Sequence, residues 1–357
     1  MGVRISNGYI TINKDIHTGP ICDWVVCDNS VTGLPLSYDN NFQYINGYYI
    51  MDDVSDNQMI YYCQALNGTW SSSTLPSNRS HSPVVFYQGK YYIFASGYMY
   101  TSTNLASWTQ TTNSSSRSWN QLYVAGDGRL VAGNSGYTGY TAIGGTSFTV
   151  DNHDDITTSL GYLLMDNTRK NFYVYPLNNN YYRVSTDFGV TWTTSSEKLG
   201  FGMMQCGGAV DDTNTIYLAP DSESYLHAYK TTYDNSVKQD IHVKYPVDVD
   251  STDTVVAYGQ GIILAMTETN RSDNIEPGGT IHLVFYLNYG INDKELRRYE
   301  VDLVNTTSNT LYGNWHSLFF LNDRFVLYRG GLLAYSLPIG HNTYNSGDGE
   351  LVDGFPI

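Results

Sequence analysis

Long apolar runs are missing from this chain of 357 residues. No stretch of eighteen apolar residues occurs, which excludes a helix that spans a bilayer. The opening Met1-Gly-Val-Arg-Ile-Ser-Asn-Gly lacks the apolar core of a secretion signal. Basic residues are scarce: 19 Lys and Arg stand against 34 Asp and Glu, a net charge of -15. That balance excludes nucleic acid as a partner, because phosphate binding needs a basic surface. It also excludes a polybasic membrane anchor. The four cysteines (Cys22, Cys27, Cys63, Cys206) are too few for a disulfide scaffold. Cys22 and Cys27 do not have zinc-knuckle spacing, so the cysteines read as buried free thiols of a protein made in a reducing compartment. Helical periodicity is nearly absent, with one short helix expected over 292–298.

What remains is strand and turn. Short runs of Tyr, Val, Ile and Thr alternate with Gly, Asn, Asp and Ser, the signature of an all-β protein. The turns recur. Phe42-Gln-Tyr-Ile, Asn46-Gly47 and Tyr48-Tyr-Ile-Met form one hairpin. Val84-Val-Phe-Tyr, Gln88-Gly89 and Lys90-Tyr-Tyr-Ile-Phe form the next. Seven such hairpins centre near positions 46, 88, 126, 167, 212, 260 and 322. A period near forty residues, built of strands only, is that of four-stranded β-propeller blades. The longer last step leaves room for an insertion over 267–279 or 293–310.

A second marker has the same period. The third strands read Met59-Ile-Tyr-Tyr-Cys, Tyr98-Met-Tyr-Thr, 137–143, Tyr181-Tyr-Arg-Val and Tyr225-Leu-His-Ala-Tyr. A turn and then an aromatic (Trp70, Trp108, Phe148, Trp192) follow four of them, which places large rings between sheets. The last repeat supplies three strands only, while Tyr9 to Ile12 and Trp24 to Cys27 offer spare ones. The expected fold is therefore a β-propeller of seven four-stranded blades, with six as the alternative, closed by an N-terminal strand. The expected layout is one propeller domain over 1–338, with closing strands in 1–39 and blades in 40–338. An irregular tail follows over 339–357.

Ser185-Thr-Asp187-Phe-Gly189-Val-Thr191-Trp192 resembles the Asp-box, or BNR repeat, of sialidase-like β-propellers. Asp187 can accept hydrogen bonds from turn amides, Gly189 can supply a positive φ, Ser185 can bond across the turn and Trp192 can pack beneath it. Ser102-Thr-Asn104-Leu-Ala-Ser107-Trp108 resembles a degenerate copy, and Asn67-Gly68-Thr69-Trp70 keeps the end alone. The resemblance implies structural roles for Ser185, Asp187, Gly189 and Trp192 and for Ser102, Asn104 and Trp108. In these families the box is a folding element remote from the active site.

Catalytic and metal patterns are not found, and no catalytic residue, metal site or cofactor is expected. The arginine triad of sialidases has no recognisable counterpart: Arg4-Ile5-Ser6 lacks the proline, and Arg183, Arg271 and Arg329 lie in other contexts. Adjacent carboxylates (Asp52-Asp53, Asp154-Asp155, Asp211-Asp212) point to opposite faces of a strand and read as turn caps. Asp248-Val-Asp250-Ser-Thr-Asp253 and Asp348-Gly-Glu350 fall short of a calcium-loop pattern. Composition and blade endings resemble those of bacteriophage tail and fibre proteins. That resemblance implies a non-enzymatic virion component that attaches to a host-surface glycan or receptor, or docks to another virion subunit. A sialidase-like glycoside hydrolase and a cellular protein-interaction propeller are the alternatives.

Overall fold

The computed structural model describes residues 2–6, 9–13, 24–27, 34, 42–52, 58–76, 82–95, 97–111, 119, 121–134, 137–152, 160–176, 181–198, 203–212, 214–220, 226–230, 238–241, 255–268, 274–288, 297–311 and 317–339. These residues form seven antiparallel sheets. Blade one is Phe42–Ile45, Tyr48–Asp52, Met59–Cys63 and Ser71–Thr74. Blade two is Val85–Tyr87, Lys90–Ala95, Tyr98–Ser102 and Thr109–Gln110. Blade three is Gln121–Val124, Leu130–Asn134, Tyr137–Thr141 and Phe148–Asn152. Blade four is Leu160–Met165, Phe172–Pro176, Tyr181–Ser185 and Thr193–Lys198. Blade five is Met203–Val210, Thr215–Pro220, Leu226–Lys230 and Lys238–Ile241. Blade six is Val255–Gly259, Ile262–Glu268, Thr280–Asn288 and Arg297–Val304.

Blade seven takes Ser317–Leu321, Arg324–Arg329 and Leu332–Ser336 from the end of the chain and its fourth strand, Trp24–Val26, from the beginning. Trp24 pairs with Ser336, Val25 with Tyr335 and Val26 with Ala334. The hairpin of Gly2–Ser6 and Tyr9–Asn13 extends this sheet outward to six strands. First strands meet between blades two and three, four and five, five and six, six and seven, and seven and one. The second strand of blade three meets the first strand of blade four, and Ile50 and Ile60 of blade one pack with Tyr91 and Ile93 of blade two, so the sheets form a ring.

Local chemistry explains the blades. Asn46-Gly47, Gln88-Gly89, Gln260-Gly261 and Asn322-Asp323 each place two residues at positive φ. That is the type I′ geometry whose twist matches a two-residue hairpin. Strand interiors are apolar on both faces because a blade is covered on both sides: all five residues of Leu332–Ser336 are buried.

The aromatic marker marks the joints. Trp70 packs with Phe42 of its own blade and with Leu321, Val326 and Tyr328 of blade seven. Trp108 packs against Ile50 and Ile60 of blade one and donates its Nε1–H to Ser73 Oγ at 3.0 Å. Phe148 meets Phe94 of blade two edge-on, with ring centroids 6.0 Å apart. Trp192 packs with Tyr123 and Val131 of blade three. Each ring heads a fourth strand and fills the joint with the preceding blade. Trp24 does the same for blade seven, stacking on Phe285 of blade six at 5.0 Å.

One expectation fails. The stretch 292–298 holds no described helix: Arg297 and Arg298 open the strand Arg297–Val304, and 292–296 lie outside the described residues. The alternation decides it. Tyr299, Val301 and Leu303 join the core, while Glu300 is exposed and Asp302 is half-buried, a period of two. Of the stretches 267–279 and 293–310, where an insertion was expected, residues 267–268 and 297–304 belong to strands, and 269–273 and 293–296 lie outside the described residues. Glu268 ends a second strand, and the third strand, Thr280–Asn288, runs nine residues. Ile275 bridges Leu311 beyond these strands. The tail from 340 onward lies outside the described residues.

Candidate functional site

The first strands line the centre of the ring and read FQYI, VFY, QLYV, LGYLLM, MMQCGGAV, VVAYG and SLFFL. None of them contains Asp, Glu, His, Lys or Arg. Two of their polar side chains serve the ring itself. Gln121 Oε1 accepts the Leu163 N–H at 2.6 Å, and the Tyr123 hydroxyl donates to the Leu163 carbonyl at 2.7 Å, both reaching from blade three to blade four. Burial pushes the Tyr123 phenol up to about 12, so it stays a neutral donor.

The hairpin turns between first and second strands form a belt on one face. Asn322 Nδ2 donates to the Tyr49 hydroxyl and Asn46 Nδ2 to the Tyr91 hydroxyl, each at 3.2 Å. The Tyr87 hydroxyl donates to the Gly128 carbonyl at 3.0 Å, and the Gly126 N–H to the Arg169 carbonyl at 2.8 Å. Asn167 bonds Asn214 and Asp211, and Asp212 bonds the Tyr258 hydroxyl. Each contact joins one blade to the next. These turns therefore help to hold the ring.

The third-to-fourth-strand turn at 185–192 lies on the same side. The Ser185 hydroxyl donates to Asp187 Oδ1 at 2.8 Å and accepts the Gly189 N–H at 2.9 Å. Asp187 accepts the Thr191 N–H at 2.9 Å and the Thr191 hydroxyl at 2.7 Å. Trp192 Nε1–H donates to the Gly189 carbonyl at 3.1 Å. Phe188 and Gly189 hold φ of 62° and 79°. A Cβ on Gly189 would lie 2.8 Å from Val131 of blade three. The turn over 102–108 is one residue shorter. Leu105 keeps a φ of 65° but the glycine step is gone, and Ser102 Oγ accepts the Leu105 N–H at 2.8 Å instead. Asn104 Oδ1 accepts the Ala106 N–H at 3.0 Å.

Burial pushes the Asp187 carboxyl up. The donors Thr191, Ser185 and Val190 together outweigh it and hold the group below the ordinary carboxylate range. A depressed folded value contributes stability above the unfolded value of about 3.9, and the contribution is lost as pH falls through the folded value. Asp187→Asn is expected to flatten the acid limb of thermal stability below about pH 4. Melting curves across a pH series check this, and parallel acid limbs for the two proteins would count against it.

Other carboxylates play varied parts. Asp211 is buried, with its carbonyl accepting the Asn214 N–H at 2.9 Å inside the turn. Asp52 is buried at the end of a second strand, and the residues that follow it lie outside the described residues. A capping carboxylate not singled out from sequence is Asp166. It accepts the Thr168 hydroxyl at 2.7 Å, the Asn171 N–H at 3.2 Å and Asn171 Nδ2 at 2.7 Å. The signal was Asp-x-Thr at the head of a turn. Asp53, Asp154, Asp155, Asp248, Asp250, Asp253, Arg271, Asp348 and Glu350 lie outside the described residues. Arg329 is fully buried, and Arg183 reaches Asp151 of blade three at 3.9 Å. Among the described residues no group of three or more His, Cys, Asp and Glu could hold a metal ion. No helix there is long and apolar enough to cross a membrane.

The other face differs. Third strands begin there, and in blades two, three and four they begin with Tyr98, Tyr137 and Tyr181. These positions are equivalent, each four residues before the hydroxyl residue that closes the strand (Ser102, Thr141, Ser185). Alternation puts all three on the side of the preceding blade. Tyr100, two along from Tyr98, packs with Ile50 of blade one, Tyr137 packs with Phe94 of blade two, and Arg183, two along from Tyr181, reaches Asp151 of blade three. Tyr98 and Tyr181 are each 37% exposed, among the most open large apolar side chains described. The result is an arc of phenol rings across three adjacent joints.

Residues 43–178 match the family model described as the DUF6242 beta propeller domain. No curated protein matches the chain. Among solved structures, a streptogramin B lyase is 10% identical, with a TM-score of 0.61 over 88% of this chain and 97% of that one. YCF48 bound to D1 peptide is 10% identical, with a TM-score of 0.57 over 93% of this chain and 99% of that one. YCF48 from Cyanidioschyzon merolae is 14% identical, with a TM-score of 0.56 over 88% of this chain and 98% of that one. Likeness at this level of identity speaks to architecture, and the architecture it shares with this chain is the β-propeller.

Proposed function

We propose that this chain is a non-enzymatic attachment propeller of a bacteriophage virion, which holds a host-surface glycan on the face where its third strands begin. The carrying observation is the arc of Tyr98, Tyr137 and Tyr181 at one register position in three neighbouring blades. A tyrosine offers a flat apolar ring and a hydroxyl at its edge, which suits the faces and hydroxyls of a sugar. The net charge of -15 favours a neutral sugar over an acidic one. A glycoside hydrolase needs two carboxylates converging on one bond, and the seven first strands supply none. In this reading the turn over 185–192 is an Asp-box, with Ser102, Asn104 and Trp108 in a shortened copy, and both serve the fold. Such a protein would reside in the virion, in contact with other virion subunits.

The test is titration calorimetry of the purified chain against envelope polysaccharide from the host, alongside an assay for released sugar. Saturable binding without sugar release is expected. Tyr98→Ala with Tyr181→Ala should weaken binding about tenfold or more, and the two phenylalanine variants should retain most of it. No saturable binding, or absence of the protein from purified particles, would defeat the reading.

A further inference from the structure

Cys27 directly follows the ring-closing strand Trp24–Val26. The Cys27 N–H donates to the Leu333 carbonyl at 2.9 Å, and the Cys27 carbonyl accepts the Thr306 hydroxyl at 3.3 Å. The Cys27 thiol donates to the Leu66 carbonyl of blade one at 3.6 Å. Leu66 belongs to the turn that follows Cys63, and the Cys63 thiol is hydrogen-bonded by the backbone of Ala65 in that same turn. The thiols thus reach adjacent residues of one short turn from opposite sides of a joint. They share one apolar cluster, at 6% and 4% exposure, with Trp70 beside them. Both are free thiols here. Burial pushes each up to about 12, and for Cys27 the neighbouring Cys63 adds to the rise. In the folded protein at neutral pH they are therefore poor nucleophiles.

We propose that Cys27 and Cys63 are the partners of a disulfide that forms when the chain folds in an oxidising medium and ties the closing strand to blade one. The oxidant is a small disulfide such as oxidised glutathione. One cysteine thiolate attacks it, forming a mixed disulfide and releasing one glutathione thiolate. The second cysteine thiolate then attacks the protein sulfur of the mixed disulfide and releases the other. The protein loses two protons and two electrons, and the two glutathiones gain them. Burial confines this exchange to the unfolded or folding chain, and afterwards shields the bond from reductant. The bridge would enclose the first three strands of blade one, so it restricts the unfolded ensemble and raises the melting temperature.

The full chain is refolded in a glutathione redox buffer or in dithiothreitol, both as wild type and with Cys22→Ser and Cys206→Ser. Peptide mapping of the oxidised protein is expected to recover one peptide bridging Cys27 and Cys63, with a mass lighter by two hydrogens. The oxidised form should melt several degrees above the reduced one, and reductant should cleave it only with denaturant present. Cys27→Ser and Cys63→Ser should each abolish the shift. Free alkylation of both thiols after oxidative refolding, a persistent glutathione adduct on either, or a bridge to Cys22 or Cys206 in the wild type would each overturn the proposal. Mapping the wild type keeps the test decisive if the double serine variant does not fold.

Discussion

Trp24→Ala is expected to lower the free energy of unfolding by about 3–5 kcal/mol. The ring is fully buried and stacks on Phe285 of blade six at 5.0 Å and 16°. It belongs to the cluster that joins blades six and seven, with Val26, Leu283, Leu327 and Ala334 around it. Its strand is only three residues long and has three backbone pairs to Leu332–Ser336. Three pairs are a weak hold on a segment that can peel away, so side-chain burial must carry most of the closure. The loss should therefore appear twice: in urea denaturation followed by circular dichroism, and as faster proteolysis near the N-terminus. Trp70→Ala is the matched control, because that ring fills an equivalent joint but its strand follows the third strand of its own blade through a short turn. It should destabilise without exposing the N-terminus to protease. A Trp24→Ala protein within about 1 kcal/mol of wild type would mean that the closing strand does not hold the ring.

Much of this was legible in the letters because blades are local. A hairpin such as Phe42–Ile45 and Tyr48–Asp52 is written in one stretch, and its turn residues must tolerate positive φ. The rings at 70, 108, 148 and 192 were legible as a period because each heads the same strand of its own blade. The equivalence of Trp24 to them was hidden, since its blade is assembled from both ends of the chain. The strand Arg297–Val304 was misread because two arginines and a glutamate obscure a core face made of Tyr299, Val301 and Leu303 alone. The candidate site was less legible. Tyr98, Tyr137 and Tyr181 stood out only as strand beginnings, because their common place on one face depends on the stacking of three blades. The same holds for Asn46 with Tyr91 and Asn322 with Tyr49: two copies of one contact, visible once neighbouring blades are known.

Gly259→Ala is expected to cost about 1–3 kcal/mol through a steric clash alone. A Cβ there would lie 2.0 Å from Cγ and Cδ2 of Phe320 and 2.3 Å from Cε2. Gly259 ends the first strand of blade six, and Phe320 sits in the first strand of blade seven, so the glycine lets two blades close at the centre of the ring. The ring cannot simply swing aside at its tip, since the contact reaches Cγ and Phe320 is packed edge-on against Phe325 at 5.1 Å. Gly259 is the cleaner probe than Gly189, where a φ of 79° would penalise alanine whatever the space. The decisive measurement is a double-mutant cycle with Phe320→Ala. If close approach is the cause, Gly259→Ala should be nearly neutral once the ring is gone, giving a coupling of about 1 kcal/mol or more. Additivity within about 0.5 kcal/mol would show that the two blades do not need a residue without a side chain at this joint.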